Sequence, residues 1–198
     1  MNSLLRLCRA IDAVNDRIGR FIMWLVLAAV LVSTINASVR KAFSVSSNAY
    51  LELQWYLFSA VFLLGAGYTL LKNEHVRIDA VSGRWTRRTQ VWVDVVGIVV
   101  FLLPLCFGVV SMSWPLFARA YVGGEMSSNA GGLIRWPVYL LLPTGFVLLG
   151  LQGVSELIKR IAWLKGLGPD PAEVVKERAA EDLLLEALRK QQNAEAGR

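Results

Sequence analysis

The stretch Val95-Val-Gly-Ile-Val-Val-Phe-Leu-Leu-Pro-Leu-Cys-Phe-Gly-Val-Val-Ser-Met-Ser-Trp-Pro-Leu-Phe-Ala118 runs for 24 residues without an Asp, Glu, Lys or Arg. An α-helix needs about 20 apolar residues to cross the hydrocarbon core of a bilayer. A buried soluble helix of that length normally keeps a polar stripe. A barrel strand would be about 10 residues long and would alternate in polarity. Moving outward from this stretch, Phe21–Val39, Leu53–Leu71 and Trp136–Ser155 are also free of these four residue types over 19 to 20 residues each. The fold class is therefore an all-α integral membrane protein with four transmembrane helices. The spans are expected at about 21–41, 50–72, 92–118 and 136–158, within a membrane domain of residues 21–160. Composition agrees, with 55% hydrophobic and only 18% charged residues, against about 25% charged in an average soluble domain. Trp24, Trp55, Trp92, Trp114, Trp136 and Trp163 all fall near span ends, where an amphipathic ring sits among headgroups.

The net charge of +6 could point to nucleic acid, but its placement points to a membrane. Arg6, Arg9, Arg17 and Arg20 precede the first span. Lys72, Arg77, Arg84, Arg87 and Arg88 lie between spans two and three, and Lys159, Arg160 and Lys165 follow span four. The other two loops carry only Arg40, Lys41, Arg119 and Arg135. Twelve basic residues against four set both termini and the middle loop in the cytoplasm, because Lys and Arg near span ends are retained there. The apolar run of span one is longer than a signal-peptide core, so no cleavage is expected. Cys8 and Cys106 fall in the cytoplasm and in mid-membrane, which argues against a disulfide between them.

Outside the spans, residues 1–20 have Leu4, Leu7, Ile11, Val14 and Ile18 at three- and four-residue steps, with charges between them. Two readings fit this pattern. One is an amphipathic interfacial helix on an anionic membrane face, and the other is a helical extension of span one. Pro104 and Pro143 each remove a backbone hydrogen bond within a span and are expected to kink it. Loop three, Arg119 to Arg135, holds Gly123, Gly124, Gly131 and Gly132, and little regular structure is expected there. In residues 161–198, Pro169-Asp170-Pro171 with Glu173 forms a capping box. It predicts a cytoplasmic C-terminal helical tail to about Arg189, whose leucines form no clean stripe.

The usual catalytic signatures are absent. There is one histidine, His75, which is too few for bis-His haem or a Cys/His zinc site. No Walker loop and no nucleophile elbow occur. No cofactor, no metal and no enzyme activity are expected. Ionisable groups in the spans sit only near ends, as Glu52, Asp94 and Glu156, whereas ion pathways usually need deeper ones. Glu52 has two open readings. It is either a hydrated end-of-helix charge that can pair with Arg40, Lys41 or Arg135, or a helix or subunit contact. His75-Val76-Arg77-Ile78-Asp79 reads either as a turn with a cap or as a polar lock onto a partner.

Four motifs follow one another along the chain. They are Glu52 with Gln54-Trp55 at the start of span two, and Gly65-Ala-Gly67-Tyr-Thr-Leu70 followed by His75 to Asp79. Then come Gly124-Glu125-Met126-Ser127 in loop three, and Trp136-Pro-Val-Tyr139 with Leu142-Pro-Thr-Gly-Phe146 in span four. In this order they resemble the small, DctQ-like membrane subunit of the tripartite ATP-independent periplasmic (TRAP) transporters. The resemblance covers about Phe21 to Arg160, and the extended N-terminus and long charged tail depart from it. It implies a small permease subunit in a bacterial inner membrane, scaffolding a large membrane subunit. It also implies docking of a periplasmic substrate-binding protein for sodium-coupled uptake of an organic acid or related solute. Glu52, Gln54, Trp55, Gly65, Gly67, His75, Arg77, Asp79, Glu125, Ser127 and Arg135 are then the candidates for partner contact. The partners are those two proteins and the lipid bilayer, not nucleic acid. A stand-alone small transporter working as a homodimer is the alternative; it would be supported by a deep carboxylate in span one, and Phe21–Val39 has none.

Overall fold

A computed structural model describes residues 2–43, 47–73 and 85–170, with scattered helical residues between 173 and 192. Among them are four helices long and apolar enough to cross a membrane. They are α1 (Asn2–Phe43), α2 (Asn48–Lys72), α3 (Arg87–Gly123) and α4 (Trp136–Leu164). All four expected spans lie within these helices. Residues 2–20 are the amino-terminal half of α1, which passes into span one without a break.

Local chemistry fixes the ends. α2 stops at Asn73, which adopts the left-handed conformation (φ 58°, ψ 31°) and returns its N–H to the carbonyls of Thr69 and Leu70. Asn is among the few residues that tolerate this geometry. α3 begins at Thr86, whose hydroxyl accepts from the Thr89 N–H, a standard N-cap. It ends at Gly124 (φ 59°).

Pro104 produces a more specific distortion than a bare kink. The residues just before it, Ile98–Leu102, form one π-helical turn. The Leu103 N–H reaches back to the Ile98 carbonyl. One extra residue in the turn absorbs the missing Pro104 donor without breaking the helix. α4 likewise runs through Pro143 as one helix.

α4 is the central helix and packs against α1, α2 and α3, while α1 also packs on α2. The helices approach closely where side chains are minimal. A Cβ at Gly145 of α4 would lie 2.6 Å from the Leu63 carbonyl of α2, so only glycine fits. Such small-residue contacts are the usual means of tight helix packing in lipid.

The buried seam of α1 is Cys8, Asn15, Ile22, Ala29 and Asn36, spaced every seven residues, with Asp12 and Gly19 beside it. A seven-residue repeat keeps one face on a neighbouring helix. Leu4, Leu7 and Val14 of the leucine stripe are instead about half exposed. In lipid an apolar stripe does not have to turn inward, because the solvent is as apolar as leucine.

Candidate functional site

Polar groups gather at the two ends of the bundle. At the loop-three end, Asn48, Glu52 and Tyr56 lie four residues apart on α2 and so share one helix face. All three bond to loop three. Glu52 is buried. One of its carboxylate oxygens accepts from the Ser127 hydroxyl and from Asn129 Nδ2 at 2.8 Å. The other accepts from the Leu133 N–H at 2.7 Å. Asn48 Nδ2 donates to the Ala130 carbonyl at 3.0 Å and the Tyr56 hydroxyl to the Ile134 carbonyl at 3.2 Å.

Loop three is more ordered than its glycines led one to expect. Met126 and Ile134 form an isolated antiparallel bridge. It is flanked by Ser127 N–H to Leu133 O and Arg135 N–H to Glu125 O, both 2.9 Å. At Gly131 the chain takes φ 71°. A Cβ at Gly132 would lie 3.0 Å from the Asn129 carbonyl and closer still to Ser127. The glycines thus shape a tight hairpin around the Glu52 carboxylate.

Arg135 does not bond to Glu52. It pairs with Glu125 at 3.2 Å, and the Tyr139 hydroxyl lies 3.5 Å from each. Tyr139 first, and then Glu125, raise the Arg135 pKa above its ordinary value. The hydrogen-bond partners of Glu52 are therefore neutral donors, not Arg40, Lys41 or Arg135. Converging N–H and O–H dipoles satisfy a buried carboxylate without the cost of desolvating a second ion.

At the tail end the arrangement is ionic. Asp12 of α1 accepts from Gln152 Nε2 and the Ser155 hydroxyl, both at 3.0 Å, and pairs with Lys159 at 2.7 Å. Lys159 also meets Glu156 at 2.9 Å. Arg160 joins Glu156 to Asp94 of α3, the latter at 3.1 Å. Asn15 Nδ2 donates to Gln152 Oε1 at 2.9 Å. Its own Oδ1 finds no hydrogen-bond partner among the described residues and rests on Gly67, where an added Cβ would collide with it. Further along the chain, the Asp170 carboxylate takes two bonds from Arg87, one at 2.6 Å. It thus holds the start of the tail against α3, while its carbonyl accepts from the Val174 N–H.

The structure brings Glu52, Ser127, Glu125 and Arg135 together and leaves other candidates apart. Gln54 is half-buried and Trp55 is exposed with Phe58 and Phe62 on another part of α2. Gly67 is an internal packing position against α1 and α4. Gly65 has only Ile22 nearby, at 3.6 Å from an added Cβ. His75, Arg77 and Asp79 lie outside the described residues. The tail-end network was not expected from the sequence. Its signal was there in the spacing of Gln152, Ser155, Glu156, Lys159 and Arg160, which share one face of α4.

A family model described as the DctQ component of tripartite ATP-independent periplasmic transporters matches residues 29–162. That range takes in the whole Glu52 cradle and the α3 and α4 parts of the ionic network, but not Asp12 or Asn15. No curated protein and no solved structure matches the chain.

Proposed function

The chain belongs to the DctQ family, the small membrane subunits of TRAP transporters, and from that premise we propose that it braces a large membrane subunit and presents loop three to a substrate-binding protein. The proposed process is sodium-coupled uptake of an organic acid or related solute across a bacterial inner membrane. The twelve-to-four distribution of basic residues supports an outward-facing loop-three end and cytoplasmic termini.

One observation carries the bracing role. The four helices contain five carboxylates, Asp12, Asp16, Glu52, Asp94 and Glu156, and each is engaged within the chain. Asp16 pairs with Arg20 and Lys72, and the other four sit in the two polar ends described above. Coordinating a cation or solute in the membrane calls for ionisable groups with spare capacity, and here these five carboxylates are spent on architecture. The transport path then belongs to the partner. The same observation weighs against a stand-alone homodimeric transporter.

The exposed Trp55, Phe58 and Phe62 offer the large subunit an apolar packing surface, and loop three with Glu125 and Arg135 offers the soluble protein a charged one. Reconstitution in proteoliposomes tests the reading. Uptake is expected only when small subunit, large subunit and binding protein are combined. Sodium-driven uptake by the small subunit alone would refute it.

A further inference from the structure

The buried seam of α3 changes phase within the membrane. Val91 and Ile98 are buried seven residues apart, and Cys106, Ser113 and Ala120 are buried at the same interval. Between Ile98 and Cys106 the step is eight. A seven-residue repeat keeps one helix face on its neighbour. In a plain α-helix one extra residue would turn that face by about 100°. The repeat carried on from Ile98 would bury Leu105, Met112 and Arg119, yet all three are exposed. The π-turn at Ile98–Leu102 takes up the extra residue and keeps both halves of the seam on α4.

Neither a proline nor the packing requires this turn. α4 carries Pro143 as an unbroken α-helix. A chain one residue shorter here would satisfy both halves of the seam with a plain helix. A local departure that packing does not require points to a function. The two halves of α3 are also held differently. The inner half, Arg87–Gly97, is tied to α4 by Asp94 and Arg160 at 3.1 Å, and to the start of the tail by Arg87 and Asp170. The outer half, Leu103–Gly123, has no side-chain hydrogen bond or ion pair to another helix among the described residues. Its Ser113 hydroxyl returns to the Val109 carbonyl at 2.7 Å, and its Arg119 to the Pro115 carbonyl at 3.3 Å. It rests on α4 through small residues, with Cys106 over Gly150, and through an edge contact of Tyr121 with Trp136. At its far end come Gly123 and Gly124, where an added Cβ would meet nothing within 4 Å.

We propose that the outer half of α3 is a lever that tilts about the π-turn, with Gly123 and Gly124 as its second joint. The inner half stays fixed to the tail-end network. The use of this motion rests on the docking role of loop three: the tilt moves the α3 side of that loop while the Glu52 cradle holds its centre. Small shifts of a packed helix of this kind are an established means of conformational change.

The test uses the full chain assembled with its large subunit in nanodiscs. The binding protein is left out, so failure of the docking role does not reach the result. Double electron–electron resonance reads two spin-label pairs across the bundle, with Cys8 and Cys106 replaced by alanine. Val39→Cys with Val122→Cys reports the outer end, and Val14→Cys with Val93→Cys the inner end, all at exposed positions. The outer distance distribution is expected to be the broader one. Deletion of Val100 together with P104A removes the extra residue and should narrow the outer distribution to the width of the inner one. P104A alone keeps the extra residue and should keep the breadth. The seam is checked separately by Gly150→Cys with Cys106 retained. An added Cβ there lies 3.4 Å from the Cys106 Cβ, close to the separation in a disulfide. That disulfide should form with and without the deletion. Equal widths at the two ends of the undeleted chain would overturn the lever, as would a deletion variant that stays broad. Loss of the disulfide or of complex assembly on deletion would make the extra residue a packing requirement, and would overturn it too.

Discussion

The two ends of the bundle solve one problem in opposite ways. Each must hold carboxylates near the membrane boundary, where an unpaired charge is costly. At the loop-three end a single carboxylate, Glu52, gathers neutral donors from Ser127, Asn129 and Leu133. At the tail end Asp12, Glu156 and Asp94 alternate with Lys159 and Arg160 across three helices. The first arrangement shapes a loop, and its energy stays local. The second joins helices, and its energy belongs to the bundle. Binding surfaces need a rigidly held loop that can differ between relatives, whereas a brace needs its helices tied together. The difference fits the proposed division of labour, with docking at the loop-three end and scaffolding at the tail end.

The comparison breaks most easily at Arg160. Arg160→Met leaves Glu156 and Asp94 facing each other without their shared cation, and Arg160 is only 7% exposed. Loss of one partner from a buried ion pair costs about 3–5 kcal/mol. Thermal unfolding in detergent should show a large drop in stability, and Arg160→Met combined with Glu156→Gln should recover part of it. A drop of less than about 1 kcal/mol would place the pair on the scale of a surface ion pair and remove the contrast.

Glu52→Gln is nearly isosteric, yet it presents an NH2 group where three donors converge. Loop three should open while the helices stay packed. Thiol modification at an Ala130→Cys reporter should accelerate roughly ten- to a hundredfold, as expected for loss of charge-assisted bonds at a buried site. The melting temperature should move far less than for Arg160→Met. Equal effects of the two substitutions on melting would show that the cradle is not local.

Glu125→Lys should have the smallest effect on stability, about 0–1 kcal/mol, because its pair with Arg135 is partly exposed and such pairs contribute little. Rim charges act instead on encounter rates. Uptake should slow at limiting binding protein and recover at saturation, with normal complex assembly. Unchanged uptake at every concentration would remove Glu125 from docking.

Some of the site was legible before the fold was known. Glu52, Glu125, Ser127 and Arg135 were all singled out, but the pairing among them was not. Glu52 was offered a cation and bonds neutral donors, because Ser127, Asn129 and Leu133 are 75 to 81 residues away. Their convergence depends on the hairpin that loop three makes. Which face of α1 turns inward was not read from the sequence, for a related reason. In water the Leu4–Ile18 stripe would be the buried one, whereas beside lipid the small and polar residues Cys8, Asp12, Asn15 and Gly19 take the interior and hydrogen-bond there.

The sequence by itself determined the four spans and the absence of deep charge, because a hydrocarbon layer about 30 Å thick rejects ionised groups from about 20 residues of helix wherever the rest of the chain goes. That constraint is local and can be read along a single strand of letters. Tertiary structure alone decided which charges meet, that α4 lies at the centre, and that one π-turn absorbs Pro104. Ion pairs and glycine contacts join residues separated by up to 147 positions, and such contacts are set by helix register and close packing, to which hydropathy is indifferent.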